Sequence, residues 1–147
     1  MTSKTIASIQ TLISNKISAL ADVDSNLLFK VVANKGEGNF DGYPAAVIMP
    51  TGGVGKVADT AVNERIFTFQ ILCYQEQTEQ GMNKAGATER MTEICDAIIN
   101  AFDIDPDLGR EVMKIEVVDY SFDFKQVTGT WNFATFTINA FVLVQHY

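Results

Sequence analysis

The segment NERIFTFQILCYQEQ alternates with a period of two residues. Phe67, Phe69, Ile71 and Cys73 fall on one face, and Ile66, Thr68, Gln70, Leu72 and Tyr74 on the other. This pattern predicts a strand with one apolar and one mixed face. Past TEQGMN the period lengthens. Ala87, Met91, Ile94, Ile98 and Phe102 recur at helical spacing, opposite Glu89, Glu93, Asp96 and Asn100. The helix is expected to stop at FDIDPDLG, because Pro106 cannot continue it and aspartates favour turns.

The same test applied from the start places a helix over Thr2 to Ala21. Ile6, Ile9, Ile13, Ile17 and Leu20 form its apolar stripe, and Thr2 or Ser3 suits the cap. LLFKVVAN predicts a short strand. KGEGNFDGY is a loop, and Tyr43-Pro44 after it requires extended backbone, so the strands on either side read as a hairpin. AAVIMP is apolar almost throughout, which predicts a strand buried on both faces.

In REVMKIEVVDYSFDFKQV the alternation slips. Met113, Ile115 and Val117 share one face; Val118, Tyr120, Phe122 and Phe124 share the other. Two readings account for this: a bulge near Val117–Val118, or a strand that serves the core first and an outside contact second. After the turn VTGT, WNFATFTINAFVLVQ alternates cleanly, with Ala134, Phe136, Ile138, Ala140, Val142 and Val144 inward. The expected fold is a single α+β domain over residues 1–147, an antiparallel-rich sheet of about five strands with both helices on one face.

Between two strands lies TGGVGKVADTAVNE, with glycines at 52, 53 and 55. Its Gly55-Lys56 is not a phosphate-binding loop. Pro50 stands five positions before Gly55, Val57 replaces the magnesium-holding hydroxyl, and no helical pattern follows. Thr51–Glu64 reads instead as a Gly-rich hairpin arm with too few apolar residues to build its own core. It is expected to be mobile in the isolated subunit and to order on assembly. Val54, Lys56, Val57, Ala58 and Val62 are its candidate partner contacts.

Composition narrows the chemistry. Net charge is −7, with lysines and arginines scattered, which disfavours nucleic acid as a partner. No apolar run reaches the ~18 residues of a membrane span, and MTSKTIASIQTLISNKI lacks the continuous apolar segment of a secretory signal. Cys73 and Cys95 both fall on inward phases and are expected to be buried and reduced. With a lone His146, no zinc set assembles by spacing. Asp103, Asp105 and Asp107 imitate the start of a calcium loop. Leu108 replaces the required glycine and Lys114 the required glutamate, so the stretch reads as a turn. No Gly-x-Ser-x-Gly elbow or paired carboxylate is present, and neither catalysis nor a cofactor is expected. What remains is surplus apolar surface. Ile66, Leu72, Tyr74, Tyr120, Phe122, Phe124, Phe133 and Phe141 fall on sides that two helices cannot cover. Such surface marks a contact between proteins, with a ligand cavity as the competing explanation.

From Asp41 to Gly109 the order of features carries a resemblance. A Tyr-Pro-started strand (YPAAVIMP), a Gly-rich loop, an N-E-R-x-F-T-F strand, the helix ERMTEICDAIINAF and a D-x-D-P-x-L-G turn follow one another. This layout resembles phage tail terminator proteins, small neck proteins that cap the tail tube. The resemblance implies a virion structural protein made in the host cytoplasm. It also implies a homo-oligomeric ring, typically hexameric, with the tail tube protein and the head-side connector as partners. The Gly-rich segment matches no residue-level motif of that family. The alternatives are another neck or tail component, such as a head-completion or tube protein, and a small-ligand-binding α+β accessory domain.

Overall fold

The computed structural model describes residues 5–22, 24–34, 42, 44–57, 62–76, 84–127 and 130–145. Of these, 56, 57, 62, 76, 84–90, 123–127, 130–133, 144 and 145 are described by their backbone alone. Helix α1 spans Ile6–Ser18 and is capped by Thr5. The Ser8 amide donates to Thr5 Oγ1 at 3.1 Å and the Thr5 amide to Ser8 Oγ at 2.9 Å, a reciprocal capping box. The cap thus lies beyond Thr2 and Ser3, which are outside the described residues. Ile9, Ile13 and Ile17 are fully buried, whereas Ile6, one turn nearer the cap, is 46% exposed.

After α1, the Asp22 carboxylate accepts the amides of Asp24 and Asn26 and turns the chain, with Ser25 in the left-handed region. Leu28 and Phe29 enter the core and strand β1 follows at Val31–Ala33. Strand β2 (Ala45–Val57) runs parallel to β1, with Val31 beside Ala45 and Ala33 beside Val47. The expected hairpin between them is therefore incorrect, because a parallel pair needs a crossover rather than a tight turn. Hydrophobic phase says which face a strand buries and nothing about its direction.

Strands β3 (Val62–Glu76), β4 (Lys114–Val127) and β5 (Thr130–Gln145) complete a five-stranded sheet in the order β1-β2-β3-β5-β4. All pairs other than β1–β2 are antiparallel. The inward residues align across strands in rows, among them Ile48–Ile71–Phe136 and Ala46–Cys73–Ala134. Helix α2 (Lys84–Ile104) lies against β4 and β5, and α1 against β1 and β2. Met91, Ile94, Cys95, Ile98 and Phe102 of α2 join the same buried cluster as the α1 isoleucines and Phe67, Phe69 and Ile71. Both helices therefore cover one face, and the fold is α+β. On the opposite face Ala45 and Val47 are also buried, as the continuous apolar run AAVIMP predicts.

Helix α2 ends before Pro106. The Asp105 carboxylate accepts the Gly109 amide at 2.9 Å and the Lys16 ammonium at 3.0 Å, tying the turn to α1. Leu108, Gly109 and Arg110 all adopt positive φ, and Leu108 and Val112 pack into the core. Ladder register shifts between Val117 and Asp119, which is the bulge the slipped alternation predicts.

Candidate interaction surface

The Gly-rich segment continues β2 well past Pro50. Gly52 to Val57 pair residue by residue with Thr68 to Asn63, so the first half of the expected arm is a strand extension, with Thr51 at the bulge. Val54 lies opposite Ile66 and is 65% exposed. Lys56 and Val57 pair with Glu64 and Asn63, and Val62 opens β3 opposite Gln145 of β5. Ala58 lies outside the described residues. The structure therefore brings Val54, Lys56, Val57 and Val62 to one end of the sheet.

That end carries apolar surface on the face away from the helices. Val54, Ile66 and Phe141 form one row across β2, β3 and β5, with Leu143 beside them 44% exposed and Met113 54% exposed. A hollow of about 330 Å³ opens among Val54, Ile66, Phe141 and Met113, with Glu64 and Lys114 at its rim. The Lys114 ammonium sits 4.5 Å from the Phe141 ring centre, a contact worth about 0.5–1 kcal/mol when exposed. Toward the middle of this face the surface turns polar, and Thr68 Oγ1 donates to Asn139 Oδ1 at 2.7 Å. Leu72 and Tyr74 lie farther along, half-buried.

The other surplus residues divide differently from the expectation. Past the bulge, Tyr120 pairs with Phe136 and Phe122 with Ala134, so both lie on the helix face rather than opposite it. The bulge consumes one residue and cancels the apparent change of face. The Tyr120 and Phe136 rings stack with centres 6.0 Å apart. Tyr120 and Phe122 still remain 49% and 57% exposed, because β4 is an edge strand. The side chains of Phe124 and Phe133 are outside those described.

Cys73 and Cys95 are free and buried. Burial, and then the neighbouring Cys95, push the Cys73 thiol well up. Burial, and then Asp96, raise Cys95 to about 12. Neither is a nucleophile near neutrality, since the thiolate is the reactive form. Among the described residues no three of His, Cys, Asp and Glu gather as a metal site, and no helix is long and apolar enough to cross a membrane.

Two features escaped sequence reasoning: the apolar hollow and a groove where β2 passes the start of α1. That groove is lined by Ile6, Gly53, Gly55, Arg65 and Phe67. Both depend on where β2 ends, and glycines carry no hydrophobic phase by which to extend a strand. No protein-family model matches the chain, and no curated protein matches it in sequence.

Proposed function

We propose that this protein is a virion structural subunit that assembles into a ring, caps a phage tail tube and joins it to the head-side connector. The reading rests on the resemblance in layout between Asp41 and Gly109. One structural observation supports it: the subunit leaves large apolar side chains exposed on β2, on β4 and just before β4. Val54 is 65%, Phe122 57% and Met113 54% exposed, while the core beneath them is closed. On this reading that apolar surface is covered by another protein in the working state. Function on this reading is binding, and no residue has a catalytic role.

Light scattering on the purified chain, followed by electron microscopy with isolated tail tubes, tests the proposal. A closed oligomer that seats on tube ends is the expected result. A monomer at all concentrations that ignores tubes would reject it. The 330 Å³ hollow at Val54, Ile66 and Phe141 favours a second reading, a small-ligand-binding accessory domain. A monomer whose Phe141 environment responds to small apolar ligands would support that alternative.

A further inference from the structure

We propose that Pro106–Val112 is a latch between α2 and β4, and that its opening frees Met113 and lifts one wall from the apolar hollow at Val54, Ile66 and Phe141. The latch belongs to the single chain and stands apart from the ring reading.

This segment sets backbone strain against a short list of restraints. Leu108, Gly109 and Arg110 lie in succession in the left-handed region, at φ 49°, 68° and 70°. Glycine takes that conformation freely, whereas in leucine and arginine Cβ crowds the following carbonyl oxygen. Opposing the strain, Leu108 and Val112 are buried in the core. The Gly109 amide donates to Asp105 Oδ1, and the Glu111 and Val112 amides share the Asp107 carbonyl at 3.0 and 3.1 Å. Lys16 Nζ reaches Asp105 Oδ2 from α1 at 3.0 Å, but both side chains are partly exposed and water screens the pair. The cost of two strained residues is of the same order as the gain from burying one leucine, so the closed turn stands on a narrow margin. Strand β3, paired with β2 and β5 along its length, has no such opposing term. A segment of this kind opens by itself at less cost than unfolding the domain.

The latch also holds Met113. Ladder pairing of β4 starts at Lys114, so Met113 lies on the latch side of that boundary. Its amide donates to the Phe141 carbonyl at 2.8 Å, and its exposed side chain walls the hollow beside Phe141. Consecutive Cα atoms are about 3.8 Å apart, so Val112 cannot leave the core without drawing Met113 with it. Ile115, two residues on, is buried in the core, and its amide donates to the Pro106 carbonyl at the base of the latch. Opening is therefore bounded by Pro106 on one side and Ile115 on the other. Within those bounds it releases Leu108, Val112 and Met113 together and adds their apolar surface to that of the hollow.

Hydrogen exchange of the full chain, followed residue by residue by NMR in low urea and below the concentration of assembly, tests the proposal. The Glu111, Val112 and Met113 amides should exchange together, faster than those of Phe69 and Ile71 in β3. Their rates should depend little on urea, the mark of local opening. Arg110 is exposed, so Arg110→Gly removes strain without loss of packing and should slow all three amides about threefold, the added freedom of glycine deducted. Arg110→Asn, a residue that tolerates the left-handed region, should act in the same direction. Asp105→Ala takes away the acceptor of the Gly109 amide and should speed the three about threefold. Phe69 and Ile71 serve in every variant as the reference for unfolding of the whole domain. Exchange of the three amides at the rate and urea dependence of Phe69 and Ile71 would overturn the latch. Unchanged rates in both Arg110 variants would overturn it as well, since the turn would then store no strain. If Glu111 and Val112 open locally while Met113 exchanges with the core, the wall of the hollow stays in place and the proposal fails. Each of these failures leaves the ring reading untouched, because assembly is measured separately.

Discussion

Gly53→Ala and Gly55→Ala differ by two positions in one strand and are expected to move stability in opposite directions. A Cβ at Gly53 would sit 2.5 Å from the Ile66 carbonyl oxygen. That is about 0.8 Å short of the ~3.3 Å at which carbon and carbonyl oxygen normally meet. The obstructing atom is backbone, and Ile66 is held on both sides by Val54 of β2 and Phe141 of β5. Relief therefore requires the strands to part locally, at about 1–3 kcal/mol. At Gly55 the added methyl meets nothing within 4 Å, and φ at neither glycine is in the left-handed region. Alanine there narrows the unfolded ensemble without strain and stabilises by about 0.4–1 kcal/mol. For a chain of this size the expected shifts in Tm are about 2–12 °C downward for Gly53→Ala and about 1–4 °C upward for Gly55→Ala. Calorimetry with urea titrations, both below the concentration of assembly, measures them free of mass-action effects. If Gly53→Ala is as stable as wild type, or if both variants shift together, the close approach of β2 to β3 is not as described.

Three further outcomes are expected. Phe136→Ala, at a fully buried ring between Ile71 and Tyr120, should cost about 3–5 kcal/mol, whereas Phe122→Ala at a largely exposed ring should cost about 1 kcal/mol or less, both read by urea denaturation. Thiol labelling at pH 8 should leave Cys73 and Cys95 unmodified in the native protein and modify both in urea; rapid native labelling would contradict their burial and raised pKa values. The Gly109 amide, and then Lys16, hold the Asp105 carboxyl below its usual range. Its contribution to stability is complete above the unfolded value of about 3.9 and is lost as pH falls through the lower folded value, so Asp105→Asn should lower stability at neutral pH and flatten the acid limb below about pH 4. An unchanged acid limb in Asp105→Asn would show that the carboxylate's bonds to the Gly109 amide and Lys16 are not formed in solution.

Periodicity in the sequence was enough to place both helices and the inward faces of the two central strands. Ile9, Ile13, Ile17, Phe69, Ile71, Phe136 and Ile138 are buried as their spacing predicts, because a side chain's face depends only on the local repeat of its own element. Partnership is not local. The direction of β1, the length of β2 beyond Pro50 and the strand order are set by which segments share backbone hydrogen bonds, and the sequence of one strand does not name its neighbour. The slip in β4 shows the boundary between the two. Its position at Val117–Val118 was legible, since alternation visibly fails there. The face taken by Tyr120 and Phe122 was not, because a bulge and a true change of face leave the same pattern along the chain. Only pairing with Phe136 and Ala134 on β5 distinguishes them, and that pairing is made by tertiary structure.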